Sequence, residues 1–164
     1  MCHKGFGLLA GIMLCALAGS AQTLMSMRPK EPIVCYAKPI NQNTSIPASS
    51  EFSSARRGAK IKTALFDVDY TGFTPEAQAA FQTAVDIWST LLTSSQTIHV
   101  KAVWTPLDKG VLGSAIYGAT YANFPNAQNI NTYYPVALAE KIAGMDLNSP
   151  DDPDIYATFS SEMA

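Results

Sequence analysis

Residues 64–105 read "ALFDVDYTGFTPEAQAAFQTAVDIWSTLLTSSQTIHVKAVWT". Two short alternating stretches enclose one long segment with helical periodicity. In the first, Ala64, Phe66, Val68 and Tyr70 fall on one side of an extended chain, and Asp67 and Asp69 fall on the other. Such alternation predicts a half-buried strand. Thr74 then suits an N-cap, Pro75 the first helical position, and Glu76 the positive end of the helix dipole. Ala77, Ala80, Phe81, Ala84, Val85, Trp88, Leu91 and Leu92 recur at steps of three and four. They predict one broad packing face with Trp88 in its middle, and Gln78, Gln82, Asp86 and Ser89 mark the wet side.

"TSSQ" ends the helix, and "TIHVKAVWT" puts Ile98, Val100, Ala102 and Trp104 on one face of a second strand. Strand, helix and strand over this length predict a crossover between parallel strands.

Downstream, "GVLGSAIYGATY" reads as a third strand that Gly113 and Gly118 bend or bulge. Residues 122–134 read as an Asn-rich loop. Pro135 opens a short helix, "PVALAEKIA", with Gly144 as its C-terminal cap. "MDLNSPDDPD" is an acidic turn, and "IYATFS" closes the pattern as a strand. The fold class expected is α/β, of α+β-like character. It has a mixed twisted sheet with one long crossover helix packed on it.

Upstream, the chain changes character. Lys4, an apolar run from Phe6 to Ala18, and small residues at Gly19 and Ala21 have the layout of a secretory signal peptide cut after Ala21. The run is shorter than the roughly 20 residues that span a bilayer. A lipoprotein signal at Cys15 ranks below simple export, because "IML" before it lacks the usual small residue. The expected product is secreted, with no membrane association once residues 1–21 are removed. Cleavage removes Cys2 and Cys15, leaving Cys35 without an internal disulfide partner. Residues 22–60 are rich in Pro, Ser and Asn and read as a spacer or pro-segment. They carry a glycosylation sequon at Asn43 and a dibasic pair at Arg56 and Arg57.

The 164 residues are sufficient for one modest domain, here 61–164. With 11 Lys and Arg against 13 Asp and Glu, and no basic run, nucleic acid is not expected as a partner. Catalytic chemistry is sparse. The only histidines are His3, in the signal, and His99, which reads as a lone surface residue. No H-E-x-x-H or G-x-S-x-G is present. Asp146, Asp151, Asp152 and Asp154 are possible oxygen ligands for Ca²⁺, but Asp, Asn and Pro here also make ordinary turns.

Several stretches resemble a known family. "AAFQTAVDIWSTL" followed by "IHVKAVW" looks like the first helix and second strand of metzincin-type zinc proteases, the matrixins in particular. "DPDIYATF" is similar to the family's strand beside the active-site cleft. "DYTGFTPEAQAAFQTAVDIWSTLL" and "NTYYPVALAEKIAGMDLN" have near counterparts in bacterial exported proteins of that type. The resemblance covers about residues 64–160. It implies an incomplete metzincin-type upper subdomain, the N-terminal part of a secreted zinc metallopeptidase that is not catalytic by itself. The alternative is a non-catalytic secreted binding or structural module on the same scaffold.

In that family the zinc helix follows the edge strand, so no catalytic or metal-binding position carries over to this chain. Zinc, and a protein or peptide substrate, are implied only for a full-length form. What carries over is scaffold: Phe81 and Trp88 as helix core, and Ile155, Tyr156, Ala157, Thr158 and Phe159 as a candidate edge strand that would pair with substrate through its backbone. The context of Cys35, "PIVCYAKP", does not match the family's inhibitory switch, and a plain unpaired cysteine is the preferred reading.

Overall fold

The computed structural model describes residues 23–37, 50 and 61–163. The signal peptide, its cleavage point, Asn43, Arg56 and Arg57 lie outside the described residues. Among the described residues no helix is long and apolar enough to cross a membrane.

The described residues are mixed α/β, with two helices and two sheets. Strands are β1 (Met25–Met27), β2 (Ile33–Tyr36), β3 (Phe66–Thr71), β4 (Ile98–Thr105), β5 (Val111–Tyr117), β6 (Thr120–Ala122), β7 (Tyr134–Pro135) and β8 (Ile155–Ser160). Helices are α1 (Pro75–Leu91) and α2 (Val136–Ala143), with a 3-10 turn at Ser161–Met163. The larger sheet has the order β2-β5-β8-β4-β3, and a smaller one runs β1-β6-β7.

The decisive stretch forms the strand, helix and strand that its periodicity predicts. β3 and β4 pair in parallel, from Phe66 opposite Ile98 to Thr71 opposite Val103, with α1 between them in sequence. Thr74 caps α1 by accepting from the Ala77 amide at 3.2 Å, and Pro75 opens the first turn. α2 ends as expected, with Gly144 at φ 71° and its amide bonded to Glu140 O at 2.8 Å. A side chain in that left-handed geometry would be strained, hence glycine.

Four features differ from the sequence reading. First, α1 is rotated about its axis. Of the face read as apolar, Val85 is buried as expected and Phe81 packs on Tyr70 and Phe159, but Trp88 is 49% exposed, Ala80 and Ala84 are exposed with it, and Ile87 and Ser89 are buried instead. The ridge read as wet is the one that finds partners. Gln82 accepts from the Tyr70 hydroxyl at 3.0 Å, Asp86 pairs with Lys62 at 2.8 Å, and Ser89 O accepts from the amides of Thr63 and Ala64. β3 and its lead-in supply these partners.

Second, the expected spacer contributes strands. β2 pairs antiparallel with β5, Ile33 opposite Ala115, and β1 pairs antiparallel with β6, Ser26 opposite Tyr121. Both are short edge strands whose side chains remain exposed, which is why they carry no burial pattern in sequence. Cys35 lies on β2 and is exposed.

Third, the glycine-containing third strand is two strands, β5 and β6, in different sheets. The break falls at Gly118, where a Cβ would lie 2.0 Å from Pro153 O. Only glycine permits this approach.

Fourth, Ile155–Phe159 is not an edge. β8 runs parallel to β4 on one side and antiparallel to β5 on the other. Its backbone groups are used by both neighbours, so the strand has no free side for an extended substrate.

Burial is divided. Val100, Ala102 and Ala157 fill the sheet's helix face. Tyr121, Phe124, Val136 and Ala139 form a second small core beneath α2.

Candidate functional site

The polar face of the larger sheet is set by strand register. Parallel pairing of β3 with β4 puts Asp67 opposite His99 and Asp69 opposite Lys101, and pairing of β4 with β8 puts Lys101 opposite Tyr156. His99 Nδ1 is 3.5 Å from Asp67 Oδ2, and Lys101 Nζ is 3.9 Å from Asp69 Oδ2. His99 is therefore not alone on its face. With Asp151 and Pro153 these residues line a hollow of about 300 Å³. Both contacts are largely exposed, and exposed ion pairs contribute at most about 1 kcal/mol.

Behind this hollow, Asp154 ties three elements together. Its Oδ2 accepts from the His99 amide at 2.8 Å, and its Oδ1 accepts from Asn148 Nδ2 at 3.1 Å. Its backbone amide donates to His99 O at 2.8 Å, and its carbonyl accepts from the Gly118 amide at 2.7 Å. The residue is 1% exposed. Burial raises the Asp154 pKa, opposed by the bonds from the His99 amide and Asn148.

Glu140, on α2, is 3% exposed and accepts from the Leu147 amide at 3.2 Å. Burial pushes its pKa up to about 7, against the bond from Leu147 and with a further push from Asp154 and Asp146. A carboxyl in such surroundings stays largely uncharged in weakly acid solution.

Asp154 thus turns inward to protein donors, while Asp151 and Asp152 are exposed on the turn. The described residues contain no group of three His, Cys, Asp or Glu side chains arranged to hold a metal. The acidic turn is a structural device in its own right. Asn148 bonds Asp152 O and Asp154, and the Asn148 amide bonds Asp146 at 3.1 Å.

A second, smaller cavity of about 150 Å³ lies across the wall formed by Pro153 and Tyr156. Ser26 and Arg28 of the N-terminal stretch line it, with Tyr121, Asn148 and Asp152. Sequence reasoning did not find this cavity. Its walls come from segments more than a hundred positions apart, and its cation lies in a stretch with no periodic signal.

A third hollow, of about 250 Å³, is apolar and lies between the C-terminal end of α1 and α2. Phe66, Leu92, Ile98, Leu138 and Ile155 line it.

No family model, curated protein or solved structure matches the chain.

Proposed function

We propose that the chain provides the scaffold of an exported, metzincin-like zinc peptidase acting on protein or peptide. In this reading, hydrolysis requires zinc ligands and a general base from a segment additional to the described residues. The sequence likeness of residues 64–160 supports it, as does the β3-α1-β4 crossover.

The observation that carries it is a partly covered aromatic cluster on the helix face, flanked by exposed apolar side chains. Tyr70, Phe73, Phe81, Trp104 and Phe159 form a chain of ring contacts, with centroids 5.2–6.4 Å apart. None of these five rings is fully buried. Beside them the row that crosses the sheet through Ala157 and Ala115 ends at Ile33, which is 77% exposed. Trp88 and Leu92 are exposed along α1. Exposed apolar side chains beside such a cluster suit a face against which further protein packs. Its aromatic part lies at the C-terminal ends of parallel strands, where α/β sheets build their sites.

The alternative, a secreted binding module, is favoured by two observations. β8 sits in the sheet interior, while the smaller cavity carries unlike charges on its walls.

The test is metal content together with hydrolysis of casein, with and without chelator. It compares the 164-residue chain with one extended through the downstream coding sequence. Zinc binding and chelator-sensitive cleavage by the extended chain alone are expected. Cleavage by the 164-residue chain alone overturns the scaffold reading. An extended chain that binds no zinc favours the binding module.

A further inference from the structure

We propose that the cavity between β1, β6 and the acidic turn binds a small α-amino acid as its zwitterion. The carboxylate would lie at Arg28 and the Tyr121 hydroxyl, and the ammonium at Asp152. This inference does not rest on the peptidase reading.

Three observations support it. The first is the pair of unlike charges on one small cavity. Arg28 and Asp152 both line it, and neither takes part in an ion pair with a described residue. A guanidinium presents donors in a planar fork that suits a carboxylate, and a carboxylate accepts from an ammonium. A ligand carrying an ammonium and a carboxylate on one carbon offers a partner to each of them.

The second is Tyr121. The residue is 8% exposed, packed in the core with Phe124 and Val136. It nevertheless lines the cavity, with its ring in the core and no buried side-chain polar atom among the described residues left without a partner. Burial raises the Tyr121 pKa, with further rises from Glu140, Asp152 and Asp146 and an opposing effect of Arg28. The hydroxyl therefore stays protonated and able to donate, within the fields of both Arg28 and Asp152.

The third is the rigidity of the frame. Ser26 sits opposite Tyr121 in the β1–β6 register. Gly118 is pressed against Pro153, and Asn148 is held by two bonds to Asp152 O and Asp154. A cavity of about 150 Å³ admits a small amino acid but no folded or extended polypeptide. Pre-formed walls with a few convergent polar groups are the usual make-up of a small-ligand site.

Calorimetric titration of the full chain with glycine and with alanine tests the proposal, with acetate and methylamine as single-charge controls. One site is expected for the zwitterions, and weaker binding of both controls. Arg28→Gln and Asp152→Asn should each weaken glycine and alanine binding by roughly tenfold or more. Tyr121→Phe should weaken it several-fold. Arg28 and Asp152 are exposed, so their variants keep the fold, which far-ultraviolet dichroism checks. Acetate binding as tight as glycine overturns the two-charge reading. So does zwitterion binding that survives both charge substitutions, and so does no binding of either amino acid at millimolar concentration.

Discussion

Asp154 and His99 are joined by two hydrogen bonds of 2.8 Å, although 55 positions separate them in the chain. The Asp154 carboxylate accepts from the His99 amide, and the Asp154 amide donates to the His99 carbonyl. The first residue of β8 follows at once, so this clasp fixes where β8 enters the sheet beside β4. Asp154→Ala should leave the His99 amide without its acceptor and remove one of the two acceptors of the Asn148 carboxamide. Buried donors left unpaired cost about 1–3 kcal/mol each. A loss of about 2–4 kcal/mol is expected in urea denaturation. An unchanged midpoint would mean that water replaces the carboxylate freely.

Glu140 makes stability depend on pH. Its folded-state pKa is raised from 4.5 to about 7, so the folded chain holds a proton that the unfolded chain releases. The contribution is full below pH 4.5 and is lost as pH rises towards about 7. It is on the order of 3 kcal/mol, and the raised Asp154 acts in the same direction. Asp86, lowered chiefly by its bond to Lys62, acts in the opposite direction and only below its ordinary range. Glu140→Gln keeps an acceptor for the Leu147 amide and has no charge to bury. Denaturation at pH 5 and pH 8 should show a much flatter dependence for the variant, and a gain in stability at pH 8. Equal slopes for the two proteins would exclude Glu140 as the source.

Trp88 faces outward from α1. Trp88→Ala should cost less than about 1 kcal/mol, since half of the side chain is already in solvent. Val136→Ala, at a fully buried position under α2, should cost about 2 kcal/mol despite the smaller change. Guanidinium denaturation of both variants compares them directly. A Trp88 loss in the range of about 3–5 kcal/mol, typical of a core aromatic, would restore the orientation that the periodicity suggests.

Gly118 has no room for a side chain, since a Cβ would lie 2.0 Å from Pro153 O. Backbone must shift, and overpacking of this kind costs about 1–3 kcal/mol. Gly118→Ala should therefore lower the thermal midpoint. It should also alter the chemical shifts of Tyr121 and Tyr156, whose side chains share the neighbouring cavity. Wild-type stability with unshifted tyrosine signals would place the β5–β6 break elsewhere.

Local order was legible in the sequence. Alternation in residues 64–70 and 98–104, the Thr74-Pro75-Glu76 start of α1 and the Gly144 stop of α2 each specify an element through bonds made within a few residues. The parallel pairing of β3 and β4 followed from the length of the connection. Long-range pairing was not legible, because no local signal encodes it. β8 became an interior strand only when β5 turned back along it. The face that α1 presents was decided by Tyr70, Lys62 and the amides of Thr63 and Ala64, which gave partners to its polar ridge. The exposed strands β1 and β2 carried no burial pattern to read. The cavity that joins Arg28, Tyr121 and Asp152 exists only because three distant segments meet. Periodicity records which side of an element is apolar, and the hydrogen-bond partners supplied by other segments decide which side is covered.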